Sequence, residues 1–148
     1  MRVALLQYPI AWADKETNLR LAEERIAALA GKADVAVLPE MFATGFCTDH
    51  PELAETMDGD IIRRLQAAAD QSGVAIVSSF ICLPATGQRL VNRGFMITPH
   101  SVYPNREELE GGSNLPSLQG GGGGRLFVQD KRHLYAHGGE DLFFQPAQ

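Results

Sequence analysis

Apolar residues run almost without a break from Val3 to Tyr8 and again from Asp34 to Leu38, the pattern of strands covered on both faces. Between these runs the spacing changes. Leu19, Ala22, Ile26 and Leu29 fall on one helical stripe, and Glu23, Glu24 and Arg25 lie largely off it. Asp14 is placed to cap this helix, which the spacing carries to about Ala30, and Gly31 suits its C-terminal cap. Met41 to Asp58 reads as a loop with Gly45, Pro51 and several acids. A second amphipathic helix is predicted over Asp60 to Gln71, with Ile61, Ile62, Leu65, Ala68 and Ala69 inward and Gly73 ending it. Val74 to Leu83, rich in β-branched residues, reads as a third strand. After the turn Pro84-Ala85-Thr86-Gly87, Arg89 to Thr98 reads as a strand antiparallel to it.

The order β-α-β-α-β with an added hairpin predicts an α/β fold: a largely parallel inner sheet, with helices on one side. The other sheet face is also apolar and needs a cover of its own. The segment from about His100 to Gly124 breaks the pattern. It holds Asn105-Arg106-Glu107-Glu108, Gly111-Gly112-Ser113-Asn114 and the run Gly120 to Gly124, and it reads as a flexible insertion in a hairpin turn. A phosphate loop does not fit, because no Lys-Ser or Lys-Thr follows the glycines.

A length of 148 residues suits one domain with a real core. The net charge of −5 argues against nucleic acid, which demands a basic face. Cys47 and Cys82 show no disulfide framework, so reduced thiols in a cytoplasmic protein are expected. The first residues read as a strand rather than a signal peptide, since Gln7 and Pro9 interrupt the apolar run. No apolar stretch is long enough to span a bilayer.

Two strand ends carry candidate chemistry. In doubly wound α/β sheets ligands bind beyond the carboxyl ends of strands. Glu40 follows the second strand, and Pro39 stiffens the backbone before it. In a partly apolar pocket its carboxylate suits a general base; by itself it reads more readily as a solvated acid, since acids at strand ends are common. Lys131 follows the apolar run Leu126-Phe127-Val128, where an ammonium can support a developing oxyanion; alone, with Arg132 and His133, it reads as a surface basic cluster. Cys47 sits in the loop after Glu40 with no helix N-terminus to lower its pKa, and Cys82 lies inside a strand, so neither is favoured as a nucleophile. His133 and His137 share helical spacing, but Gly138-Gly139 disfavours a helix and a zinc site there. Leu142, Phe143 and Phe144 form an apolar end, a sign of a missing packing partner.

Together, Leu38-Pro39-Glu40-Met41-Phe42-Ala43-Thr44-Gly45-Phe46, Asn92-Arg93-Gly94-Phe95 and Asp130-Lys131-Arg132-His133-Leu134 resemble the carbon–nitrogen hydrolase (nitrilase) superfamily. Leu5-Leu6-Gln7, and Trp12 followed by Asn18, fit its ω-amidase-like branch. The resemblance covers nearly the whole chain outside the glycine-rich segment. It implies the first half of an α-β-β-α sandwich, so that residues 1–148 form a partial domain with an insertion at about 100–124. It also implies a Glu-Lys-Cys triad hydrolysing small amides such as 2-oxo acid ω-amides, with no metal or organic cofactor. Glu40 matches the general base, Lys131 the lysine that stabilises the tetrahedral intermediate, and Glu140 is the candidate support for that lysine. The family's cysteine should lie tens of residues after the lysine, whereas positions 132–148 hold none. The resemblance therefore points to a chain inactive by itself, completed by a C-terminal half or self-associating as a homo-oligomer. The other readings are one piece of a split enzyme and a non-catalytic binding or assembly module.

Overall fold

The Asp14 carboxylate accepts the Thr17 N–H at 3.1 Å, and the first helix starts directly after it. The computed structural model describes residues 1–85, 89–102, 126–136 and 140–147. In it α1 covers Lys15–Ala27, a little shorter than its stripe suggests. Its end tightens into bonds three residues apart, Leu29 N–H to Ile26 C=O and Ala30 N–H to Ala27 C=O, and the chain leaves through Gly31 at φ 70°. Leu19, Ala22 and Ile26 are buried along the expected face.

The second helix, α2 (Asp60–Ser72), has a borrowed cap. Glu55 reaches over Gly59 to accept the Ile61 N–H at 2.8 Å. Gly73 ends the helix at φ 70°, and its N–H bonds the Ala69 carbonyl. Arg64 of α2 grips Glu23 and Glu16 of α1, which fixes how the two helices cross.

The strands are β1 (Val3–Leu5), β2 (Val35–Val37), β3 (Ala75–Cys82), β4 (Val91–Ile97) and β5 (Leu126–Asp130). They form one sheet in the order β1-β2-β3-β4-β5. The first three are parallel, and β4 and β5 extend the sheet by antiparallel pairing. Because β5 is antiparallel to β4, the chain leaves β1, β2, β3 and β5 at the same edge, where it also enters β4. That edge receives the site.

One sheet face and the two helices share a single core. Ala36, Ile76, Phe80, Phe95, Ile97 and Leu126 pack with Leu19, Ile26, Ile61 and Leu65. Phe95 meets Phe80 and Phe42 edge-on, at ring separations of 5.9 and 6.5 Å. Neither α1 nor α2 covers the opposite face, where Phe144 packs on Ile81 at one end. Register places Leu5, Val37, Val77, Met96 and Phe127 in one row across all five strands. This row is apolar throughout, and its end members Leu5 and Phe127 are 77% and 39% exposed.

The first strand departs from its sequence pattern. It was expected over Val3 to Tyr8 with both faces covered; it spans three residues and is an edge strand whose Val3 and Leu5 side chains are open. An unbroken apolar run records a demand for cover on both faces, and the helices meet that demand on one. The expected glycine-rich insertion falls almost wholly outside the described residues. Among the described residues, no helix is long and apolar enough to cross a membrane.

The open apolar row predicts that the chain self-associates. Each buried aliphatic side chain of this size contributes about 1.5–3 kcal/mol. Sedimentation velocity on the chain should show oligomers, and Val77→Lys should shift them towards monomer with far-UV circular dichroism unchanged. A strictly monomeric wild-type chain with a sharp two-state melt would contradict this.

Candidate active site

Glu40 sits just beyond β2, on a backbone that the neighbouring strand holds from both sides. The Ser78 hydroxyl donates to the Pro39 carbonyl at 2.7 Å, and the Met41 N–H donates to Ser79 Oγ at 3.1 Å. Met41 then takes φ 53°, unusual for a side chain of its size. Its carbonyl accepts the N–H groups of Thr44 and Gly45, so the chain folds back immediately after Glu40. Gly45, at φ 73°, lies where a Cβ would approach the Trp12 ring to 3.3 Å. The buried Asn18 ties this loop to the one after β1: its amide donates to the Ala11 and Ala43 carbonyls and accepts the Ala11 N–H.

Lys131 lies one residue past β5. Asp130 before it forms a two-pronged pair with Arg93, at 2.6 and 2.8 Å. The Lys131 N–H donates to the Asn92 carbonyl, and the Lys131 carbonyl accepts the Ala147 N–H. With its backbone fixed this way, the ammonium donates at 2.9 Å to Glu40 Oε1 and at 2.9 Å to Glu140 Oε2. The same ammonium stands 5.7 Å from the centre of the Phe46 ring.

Glu140 opens a short helix, α3 (Glu140–Phe143), and is fully buried. Directly after this helix, Phe144 turns inward onto Met41, Cys47 and Ile81. Phe144 is therefore buried, whereas Leu142 and Phe143 remain exposed as expected. Glu140 Oε2 also accepts the Tyr135 N–H at 2.6 Å. Asn92, on β4, donates from its side-chain amide to Glu40 Oε1 at 2.7 Å and to Glu140 Oε1 at 3.1 Å.

Glu40, Lys131 and Glu140, singled out in the sequence, thus converge. Asn92, Ser78 and Ser79 complete the arrangement, and nothing in their spacing announced it. Asn92 did stand in a recognisable motif, without a role. Burial pushes the Glu140 carboxyl up, but the Tyr135 amide, the Lys131 ammonium and the Asn92 amide together hold it below the ordinary glutamate value. Burial pushes Lys131 down, and its bonds to Glu40 and Glu140 more than offset this, so its pKa is raised. Glu40 is half exposed, with a side chain 45% accessible. Both of its donors converge on Oε1; among the described residues, none reaches Oε2. The arrangement offers one carboxylate oxygen able to take a proton beside an ammonium able to stabilise negative charge.

Neither cysteine shares that geometry. Cys47 is buried, donates to the Thr44 carbonyl, and is pushed up by burial. Cys82 lies in β3 and is pushed up to about 11 by burial. Both thiols are free. His133 is exposed, and His137 lies outside the described residues. Among the described residues, no cluster of three or more His, Cys, Asp or Glu side chains could hold a metal.

Comparison with known proteins gives a consistent answer. Residues 2–140 match the family model described as carbon-nitrogen hydrolase. The chain is 28% identical over 145 residues to the omega-amidase YafV of Escherichia coli (strain K12), covering 98% of this chain and 46% of that protein. The Yersinia enterocolitica omega-amidase YafV is 30% identical over 142 residues, covering 95% and 44%. A crystal structure from Xanthomonas campestris, a CN-hydrolase superfamily protein with an arsenic adduct in its active site, superposes with a TM-score of 0.78 at 26% identity. It covers 99% of this chain and 46% of its own. An amidase from Nesterenkonia shares the fold, with a TM-score of 0.71 at 21% identity over 100% of this chain and 48% of its own. The chain spans about half the length of the curated relatives it matches.

The buried carboxylate sets a pH dependence. Glu140 sits below its ordinary value of 4.5 when folded, so its stabilising contribution is present above that pH and is lost as pH falls through the depressed value. Lys131 sits above 10.5, so its contribution is present below that pH and is lost as pH rises through the raised value. Lys131→Met leaves Glu140 buried without its cation and should cost about 3–5 kcal/mol at neutral pH. Its loss of stability on acidification should shrink or reverse, because protonation then relieves a buried charge. Urea denaturation at a series of pH values checks this; an unchanged acid limb would contradict it.

Proposed function

The chain belongs to the carbon–nitrogen hydrolase family, and we propose that it supplies the general base and the oxyanion-stabilising lysine of an ω-amidase-type site. Glu40 takes the base role through Oε2. Lys131 stabilises the tetrahedral oxyanion, and Glu140 holds Lys131 in place. The observation that carries this reading is the single ammonium shared by two carboxylates at the carboxyl edge of the sheet, with one oxygen of Glu40 left open.

The chemistry follows from those positions. Glu40 removes the proton from a thiol, and the thiolate attacks the amide carbon. The carbonyl oxygen gains negative charge next to the Lys131 ammonium. The C–N bond breaks as Glu40 returns the proton to the leaving nitrogen, and ammonia departs. Glu40 then takes a proton from water, which opens the thioester and regenerates the thiol. The substrate class we propose is a small 2-oxo acid ω-amide such as 2-oxoglutaramate, in keeping with the omega-amidase relatives.

The thiol is not one of this chain's own. Cys47 and Cys82 are buried and their thiols are raised rather than activated. We propose that residues 1–148 form part of the catalytic domain, with the insertion at about 100–124 leaving the site intact, and that a cysteine-bearing partner segment completes it.

Incubated alone with 2-oxoglutaramate, the chain should release no ammonia. Mixed with the cysteine-bearing second half of an omega-amidase relative, it should release ammonia, and Glu40→Gln should lower that rate by about 10²–10⁴-fold. Ammonia released by the chain alone in a Glu40-dependent way would defeat the external thiol. A complemented rate indifferent to Glu40→Gln would defeat Glu40 as the base.

A further inference from the structure

Asn92 is 2% exposed on β4, and its side chain faces two acids at once. Only the NH2 of a primary amide can face two carboxylate oxygens, so the orientation of the amide is settled by its neighbours. We propose that Asn92 is the positioning residue that makes Glu40 a one-sided base, tethering Glu40 Oε1 to the buried Glu140 and leaving Oε2 as the proton acceptor. This rests on the reading of Glu40 as the base.

Lys131 also donates to Glu40 Oε1, but the two donors do different work. A lysine that turns its ammonium towards a developing oxyanion must weaken its hold on Glu40 at that moment. Asn92 has no such second duty. Its backbone pairs with Ile81 on one side and accepts the Lys131 N–H on the other, so the amide stays in place as the ammonium shifts. It is also neutral, and so holds the carboxylate without adding a second cation beside it.

The residue type follows from these demands. Two hydrogens must leave one nitrogen, at short reach, towards two acceptors. Serine supplies one hydrogen. Aspartate would place a third carboxylate between the other two. Leucine keeps the branched shape and removes both donors.

The test uses the full chain with carbon-13-labelled glutamate carboxyls. In Asn92→Leu, the Glu140 carboxyl should titrate at higher pH than in the wild type, and the Glu40 methylenes should lose their ordered couplings while the backbone amide spectrum is retained. A folded Asn92→Leu with an unchanged Glu140 titration and an ordered Glu40 overturns the proposal. The unaltered chain gives an answer independent of that variant's folding. Both Asn92 side-chain hydrogens should exchange more slowly than those of an exposed asparagine; exchange of both at the exposed rate overturns the tether. Slowed exchange together with complemented ammonia release indifferent to Glu40→Gln would leave the tether standing and remove only the base assignment.

Discussion

A carboxylate with no exposed surface is the constraint on which this site depends. Glu140 is excluded from water, and an ionised group so placed is tolerable only if every oxygen is satisfied. Its three donors arrive from separate parts of the chain: the Tyr135 amide, the Lys131 ammonium and the Asn92 amide. Meeting that demand fixes the end of β5 against the start of β4. Two of the three donors then also reach Glu40, so the geometry at the half-exposed acid follows from the needs of the buried one.

Sequence patterns revealed the scaffold better than its finish. The α2 boundaries were legible because Asp60 and Gly73 bracket a clean apolar stripe, and the α1 start because Asp14 is an ordinary cap. Glu40 and Lys131 were legible through the motifs that resemble the family, since each alone reads as an ordinary charge at a strand end. The supporting hydroxyls of Ser78 and Ser79 were not, since serines inside a β-branched run carry no local mark of their bonds to Pro39 and Met41. The helical turn at Glu140 was hidden for a different reason. It accompanies the burial of Phe144, a tertiary contact that no window of neighbouring residues records.

The two faces of the sheet answer different requirements. One is sealed by α1 and α2 around the Phe80, Phe95 and Phe42 cluster. The other presents the apolar row from Leu5 to Phe127, exposed at both ends. The sequence encodes both faces alike, through continuous apolar strands, and it is the placement of the helices that makes them unequal. The site stands at the rim between these faces, held by hydrogen bonds that converge on the buried Glu140.

The spatial order of the five strands repeats their order in the chain. Each strand can therefore dock on the one synthesised just before it, and no strand must wait for a later one to be inserted between neighbours. Such a topology keeps sequence separations between paired strands smaller than an inserted strand would demand. Glu40 emerges early in this sequence of events, whereas its two donors belong to β4 and the end of β5. The charged cluster can therefore be complete only once the chain through Glu140 is in place.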